Sequence, residues 1–254
     1  MTRATARTPI YSSSLIRFLA DLALVDKHET AHAFAEKLGD WLDFRNAIAL
    51  HGVLGTPIST DARQTAARVS TLPSSAIEDM AQSRAALNQL IIDSFSPHRT
   101  RARTRLPEPS YDPALKPSAA YEPYRRYYLA LQRDLETGIR PLRSRMRRVL
   151  AQASPPLRRL ATLDEALESI LAERESKLLA KIPALLETRF KRLLKEHQKT
   201  LAEAQLNDSQ ADWAASDGWL ARFCQELQMA LQAELDIRLL PTQGMLEALN
   251  KKTT

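Results

Sequence analysis

A chain of 254 residues, 44% hydrophobic, with 6 glycines, 14 prolines and one cysteine, can bury a sizeable core and is neither collagenous nor disulfide-built. Leucine outnumbers valine 39 to 4, with 11 isoleucines, which favours helices over pleated sheet and argues against a sheet-based enzyme core. The net charge of +6 is uneven: residues 1–96 carry 9 basic against 10 acidic side chains, residues 97–160 carry 15 against 5, and residues 161–254 carry 12 against 15.

From 12 to 25, Leu15, Ile16, Leu19, Leu22 and Leu24 recur at helical spacing behind a serine cap, which predicts a short amphipathic helix. A second starts at Asp26, with Glu29 as its capping-box partner, and turns Phe34, Leu38, Trp41 and Leu42 inward. Another short helix is expected over 45–54, followed by a Gly- and Pro-punctuated stretch to Pro73. Ser74 then caps a helix whose apolar stripe is Ile77, Met80, Leu87, Leu90, Ile91 and Phe95, closed by Ser96-Pro97. These segments make residues 1–96 a compact N-terminal helical unit.

Residues 97–123 hold six prolines and the alternating series Arg99, Arg101, Arg103, Arg105, with almost no apolar periodicity, so an extended, solvated linker is expected there. Beyond it Tyr121, Tyr124, Tyr128, Leu131, Leu135, Ile139, Leu142, Met146 and Val149 follow one another at three or four residues, the stripe of one long helix. Pro141 is expected to kink that helix and Ser154-Pro155-Pro156 to end it. The next helix starts at Leu157, or behind a capping box at Thr162-Leu163-Asp164-Glu165, and runs through Leu171, Leu178, Leu193 and Leu201 with a break near Pro183. After a polar connector, a further helix spans 218–240, Pro241 stops it, and Thr242 caps a last short one. Residues 124–254 therefore read as a long-helix bundle or antiparallel coiled coil, and the fold class is all-α.

Two patterns point toward chemistry. His28-Glu29-Thr30-Ala31-His32 matches the HExxH string of zinc hydrolases, with Asp40 or Asp43 available as third ligand. Yet Glu29 already serves the capping box, and the metzincin third histidine and glycine would fall at Leu38 and Ala35. The string reads as a solvated first helical turn, and no catalytic, metal or cofactor residue is assigned. The other pattern is the charge: Arg99, Arg101, Arg103 and Arg105, with Arg143, Arg147 and Arg148, could bind a polyanion, in a salt-sensitive manner if it is nucleic acid. Their ordinary reading is a soluble linker, and a bundle surface on which Arg143, Arg147 and Arg148 face Glu165, Glu168, Glu173 and Glu175. The string Tyr121-Glu122-Pro123-Tyr124-Arg125-Arg126-Tyr127-Tyr128 interleaves aromatic and basic residues as a base-stacking surface can, but Tyr121, Tyr124 and Tyr128 belong to the core stripe, and Arg125 and Arg126 then read as flanking, exposed charges. The lone Cys224 suits a reducing compartment, and the absence of an 18-residue apolar run or a leader pattern adds the expectation of a cytoplasmic protein without a membrane span.

The strings Ser13-Ser14-Leu15-Ile16-Arg17-Phe18-Leu19-Ala20-Asp21-Leu22-Ala23, Phe34-Ala35-Glu36-Lys37-Leu38-Gly39-Asp40-Trp41-Leu42, Tyr124-Arg125-Arg126-Tyr127-Tyr128, Ile182-Pro183-Ala184-Leu185-Leu186-Glu187 and Pro241-Thr242-Gln243-Gly244-Met245-Leu246-Glu247-Ala248-Leu249 resemble an uncharacterised family of proteobacterial proteins known only as a domain of unknown function. The resemblance brings no catalytic residues. Members of that family look like genomic neighbours of flagellar-stator-like and OmpA-like envelope proteins, and the resemblance thereby implies a cytoplasmic accessory role. The resulting expectation is a non-enzymatic helical scaffold mediating self-association or docking to an envelope-associated complex. The alternative is a nucleic-acid-binding protein using residues 97–160.

Overall fold

The computed structural model describes residues 14–24, 44–55, 72–96, 103–108, 116–204, 213 and 218–251. Among these residues there are seven helices and no strand: α1 (Ser14–Asp21), α2 (Phe44–Gly55), α3 (Leu72–Phe95), α4 (Pro117–Ala153), α5 (Pro155–Leu179), α6 (Ile182–Ala204) and α7 (Trp219–Lys251). The protein is all-α, as its leucine-rich, valine-poor composition predicts. The second predicted helix, with His28, Glu29, His32, Asp40 and Asp43, lies outside the described residues, as do Arg99 and Arg101.

Helix α4 is the central member, packed against α3, α5, α6 and α7. Its core face is the predicted stripe, with Tyr121, Tyr124, Tyr128, Leu131, Leu135, Ile139, Leu142 and Met146 all buried. The helix begins at Pro117, inside the stretch expected to be linker over 97–123. Proline is well tolerated there, because a first-turn residue needs no intrahelical N–H bond. The start is fixed by burial of Ala120 and Tyr121, aromatic surface that an extended linker would leave in water. Nor is 103–106 free of the fold: the Leu106 amide donates to the Ser94 carbonyl at 3.0 Å, and Leu106 packs on the core.

Ser154, in extended conformation, breaks the chain where the Pro155-Pro156 pair predicts, and α5 returns antiparallel along α4. Thr162 is not a cap. It sits inside α5, which already starts at the two prolines, and its hydroxyl donates to the Arg158 carbonyl. The expected break near Pro183 is present at Ala180-Lys181. Proline at 183 offers no N–H to the Leu179 carbonyl four residues earlier, and Gln132 Nε2 of α4 donates to that carbonyl instead, at 3.1 Å. The inward positions on α5 differ by one from the expected stripe, with Leu179 buried and Leu178 47% exposed.

Pro241 does not stop the last helix: α7 continues to Lys251 and Thr242 is buried within it, its hydroxyl unpartnered. An interior proline costs about 3 kcal/mol. Beyond it, Met245 and Leu249 are buried with Ala76, Met146, Leu150 and Leu157, and fully burying one such large side chain contributes about 1.5–3 kcal/mol. Packing of the last turns therefore outweighs the local signal. Helix α7 runs parallel to α4, and α3 antiparallel to both, so that Leu15, Leu19, Met80, Leu87 and Ile91 from the N-terminal helices share one core with α4, α6 and α7. Close approach of α3 is permitted by Gly138, where an added Cβ would meet Leu87 Cδ2 at 2.6 Å.

Helix α1 ends in a Schellman motif. The Leu24 amide donates to the Leu19 carbonyl, the Ala23 amide to the Ala20 carbonyl, and Ala23 occupies the left-handed position at φ 53°. Arg192 of α6 donates to the Leu22 carbonyl, placing a cation at the negative end of the helix. A side chain at the left-handed position is strained, so Ala23→Gly is expected to raise stability by about 0.5–1 kcal/mol, after Gly's extra unfolded entropy, read as a higher urea midpoint at constant slope.

Candidate functional site

The arginines of α4 divide by helix face. On the flank against α5, Arg143 makes a two-pronged pair with Asp164, Nε to Oδ2 at 2.9 Å and Nη2 to Oδ1 at 2.7 Å. One turn on, Arg147 Nη1 reaches both Asp164 and Glu168. Asp164 is buried, and each arginine side chain is less than 15% exposed. Two of the seven candidate polyanion residues are thus held in the α4–α5 seam, where Glu168 is one of the four carboxylates expected opposite them and Asp164, the other partner, is not. Arg148, one residue further round, is exposed.

On the outer face of α4, Arg133, Arg140, Arg145 and Arg148 line a shallow trough of about 660 Å³ with Thr137 and Ser144. Arg140 is 70% exposed and shares one ion pair with Glu136 at 2.7 Å. A second trough of about 320 Å³ adds Arg158 of α5 to Arg148. Of the alternating series, Arg103 and Arg105 are described and exposed, and Thr104 between them donates to Asp134 Oδ2 at 3.2 Å. Arg133 was not singled out by the sequence, and Arg140, Arg145 and Arg158 stood out only as part of the basic excess over 97–160. The signal was present: 133, 140 and 148 are separated by seven and eight residues, two turns each, and so share one helix face.

The tyrosines offer nothing for a base to stack on. All four are buried, Tyr127 included, and its hydroxyl lies 2.7 Å from Ser94 Oγ while its ring meets Phe95 edge-on. Helix α3 covers that flank of α4. Arg125 and Arg126, exposed beside it, both hydrogen-bond to Glu122, and those two bonds, Arg125's foremost, hold its carboxyl at about 2.

Cys224 is half-buried, and desolvation pushes its thiol up to about 12, so it stays protonated and unreactive at neutral pH. His51 is exposed on α2, and His197 lies against the rings of Trp213 and Trp219. Among the described residues no group of three His, Cys, Asp or Glu side chains is placed to hold a metal ion, and no helix is long and apolar enough to cross a membrane.

The buried charges on α6 and α7 are paired. Arg189 and Glu226 form a buried bidentate pair at 2.6 and 2.7 Å. Glu234, fully buried, accepts from Tyr128, Gln132 and Arg238. Fold and surface together define an all-helical protein whose internal charges are spent on packing and whose outer α4 face is basic. The chain belongs to the family described as "Protein of unknown function (DUF3348)", whose model matches residues 1–251. No curated protein and no solved structure matches it.

Proposed function

We propose that the protein is a non-enzymatic helical scaffold, on the cytoplasmic side, mediating self-association or docking to an envelope-associated protein complex. The observation that carries this reading is a strip of exposed apolar side chains along α3 and α7. Arg84 of α3 and Asp236 of α7 form an exposed ion pair at 2.6 Å. Ile77 lies seven residues before Arg84. Met229 and Leu240 lie seven before and four after Asp236, so each shares its helix face with the pair. They are 44%, 52% and 55% exposed. Covering side chains of this size is worth about 1.5–3 kcal/mol each when complete, a direct incentive for a protein partner.

An Arg–Asp pair at the centre of such a strip suits a twofold contact, since each copy's cation can face the other's carboxylate. The envelope-associated destination rests on the family resemblance alone. Light scattering across a concentration series tests the scaffold reading. The wild-type chain is expected to self-associate, and the triple variant Ile77→Ser, Met229→Ser, Leu240→Ser to return to monomer with unchanged far-UV dichroism. A wild-type chain monomeric throughout, whose crosslinked partners in the host are all kept by the triple variant, overturns it.

A further inference from the structure

The outer face of α4 carries a basic surface longer than either of its parts. The hydrogen bond from Thr104 to Asp134, with that from the Leu106 amide to the Ser94 carbonyl, seats residues 103–106 beside α4, which brings the segment carrying Arg103 and Arg105 to the turn of α4 that holds Arg133. From Arg133 the ridge passes through Arg140 to Arg148, about 22 Å along the helix at 1.5 Å per residue. Arg158 continues it onto α5, and Arg145 flanks it. Counting Glu108, Asp134, Glu136 and Glu165 against them, the seven arginines of this surface carry a formal excess of positive charge.

We propose that this ridge, from Arg103 and Arg105 through Arg133, Arg140 and Arg148 to Arg158, binds the phosphodiester backbone of a nucleic acid without reading its sequence. The chemistry of the side chains favours that partner. Residues 117–160 contain no lysine, and the planar guanidinium fork matches two phosphate oxygens at once. Between the arginines lie Thr137, Pro141 and Ser144, none of them a large apolar side chain that could enter a bilayer, which disfavours a lipid surface. The tyrosines of α4 are sealed in the core, so this helix presents no tyrosine for base stacking and its contacts stop at the backbone. The ridge also explains why Arg143 and Arg147 belong to a different account: their charge is already neutralised by Asp164 and Glu168.

Fluorescence anisotropy with the full chain tests this, using labelled short duplexes of two unrelated sequences, the corresponding single strands, and phosphatidylserine vesicles as the competing polyanion. The expected result is similar affinity for both sequences. Neutralising about three phosphates gives a salt slope near −3, about a 50-fold loss between about 50 and 200 mM salt. Arg133→Ser, Arg140→Ser and Arg148→Ser combined are expected to weaken binding at least about tenfold with helicity intact, since up to about three backbone charge contacts are lost. Glu136→Gln releases Arg140 from its ion pair and is expected to tighten binding by about twofold, a gain that misfolding cannot imitate. Three results each overturn the proposal: no binding to duplex or single strand at low salt, wild-type affinity in the triple variant, or vesicles displacing the nucleic acid at equal charge.

Discussion

Raising the pH above about 10 is expected to unfold the protein steeply, with tyrosinate absorbance and loss of helicity following one curve. Tyr121, Tyr124, Tyr127 and Tyr128 are all buried on α4, and burial pushes each phenol well above its ordinary value of 10.0. For Tyr121 the charge of Glu187 adds to burial, whereas for Tyr127 the hydrogen bond with Ser94 works partly against it. Tyr128 is the extreme case, because its hydroxyl donates to the buried Glu234 carboxylate at 3.0 Å and ionisation would set two anions against each other. An acid whose folded value is raised holds its proton in the native state after the unfolded chain has released it. The stability is therefore complete below about 10 and falls as the pH climbs from there toward the folded values. Each phenol contributes a slope of about 1.4 kcal/mol per pH unit, and four together about 5.5, enough to exhaust a typical domain stability within about two to three units. Cys224, held at about 12, adds a loss of the same sign. Tyr124→Phe removes one of the four protons and should make the alkaline limb about a quarter shallower. Four phenols titrating near the ordinary value with helicity unchanged would contradict the burial on which the account of α4 rests.

The reason α4 could be read so well from sequence is that its signals agree. The spacing of Tyr121, Tyr124, Tyr128, Leu131 and Leu135 matches one face of a helix, and the residues on it are the ones that packing needs. Helix ends were legible where the backbone itself forbids continuation with no packing to compensate: at Ser154-Pro155-Pro156, and at the break preceding Pro183. They were not legible where tertiary contact overrides local preference. Pro241 looks like a stop, but Met245 and Leu249 are held against Met146 and Leu150 by a helix about a hundred residues earlier in the chain, and no local window contains that fact. Thr162 has the capping-box pattern, yet the two prolines at 155 and 156 had already started the helix. The candidate site divided in the same way. The spacing of acidic and basic residues foretold that Arg143 and Arg147 could meet α5, but only the antiparallel register of α5 on α4 decides that Asp164 and Glu168 are the partners. The outer ridge is not legible locally, because what brings residues 103–106 to α4 is tertiary: the hydrogen bond from Thr104 to Asp134 and that from the Leu106 amide to the Ser94 carbonyl.

Replacing Glu234 by alanine is expected to cost about 3–5 kcal/mol, read as a fall in the urea midpoint at unchanged slope. Its carboxylate is 0% exposed and serves three donors: Tyr128 at 3.0 Å and Gln132 at 2.8 Å on one oxygen, Arg238 at 2.9 Å on the other. The methyl group of alanine leaves the Tyr128 phenol and one N–H of the Gln132 amide without an acceptor. It also leaves the Arg238 guanidinium, 11% exposed, with only Glu175 at 4.0 Å to balance it. The damage reaches further than the pair itself. Gln132 also donates to the Leu179 carbonyl that Pro183 leaves unserved, so the same network fixes how α5 gives way to α6 against α4. Breaking a buried ion pair from one side and removing it whole are different experiments, because the main cost of the first is the charge left behind. Glu234→Leu combined with Arg238→Met substitutes apolar side chains for both, and is expected to recover most of the loss. If instead the double variant is as unstable as Glu234→Ala, the stability resides in the hydrogen bonds to Tyr128 and Gln132 rather than in charge balance. If Glu234→Ala itself falls within about 1 kcal/mol of wild type, the carboxylate is not the tie between α4 and α7 that its burial indicates.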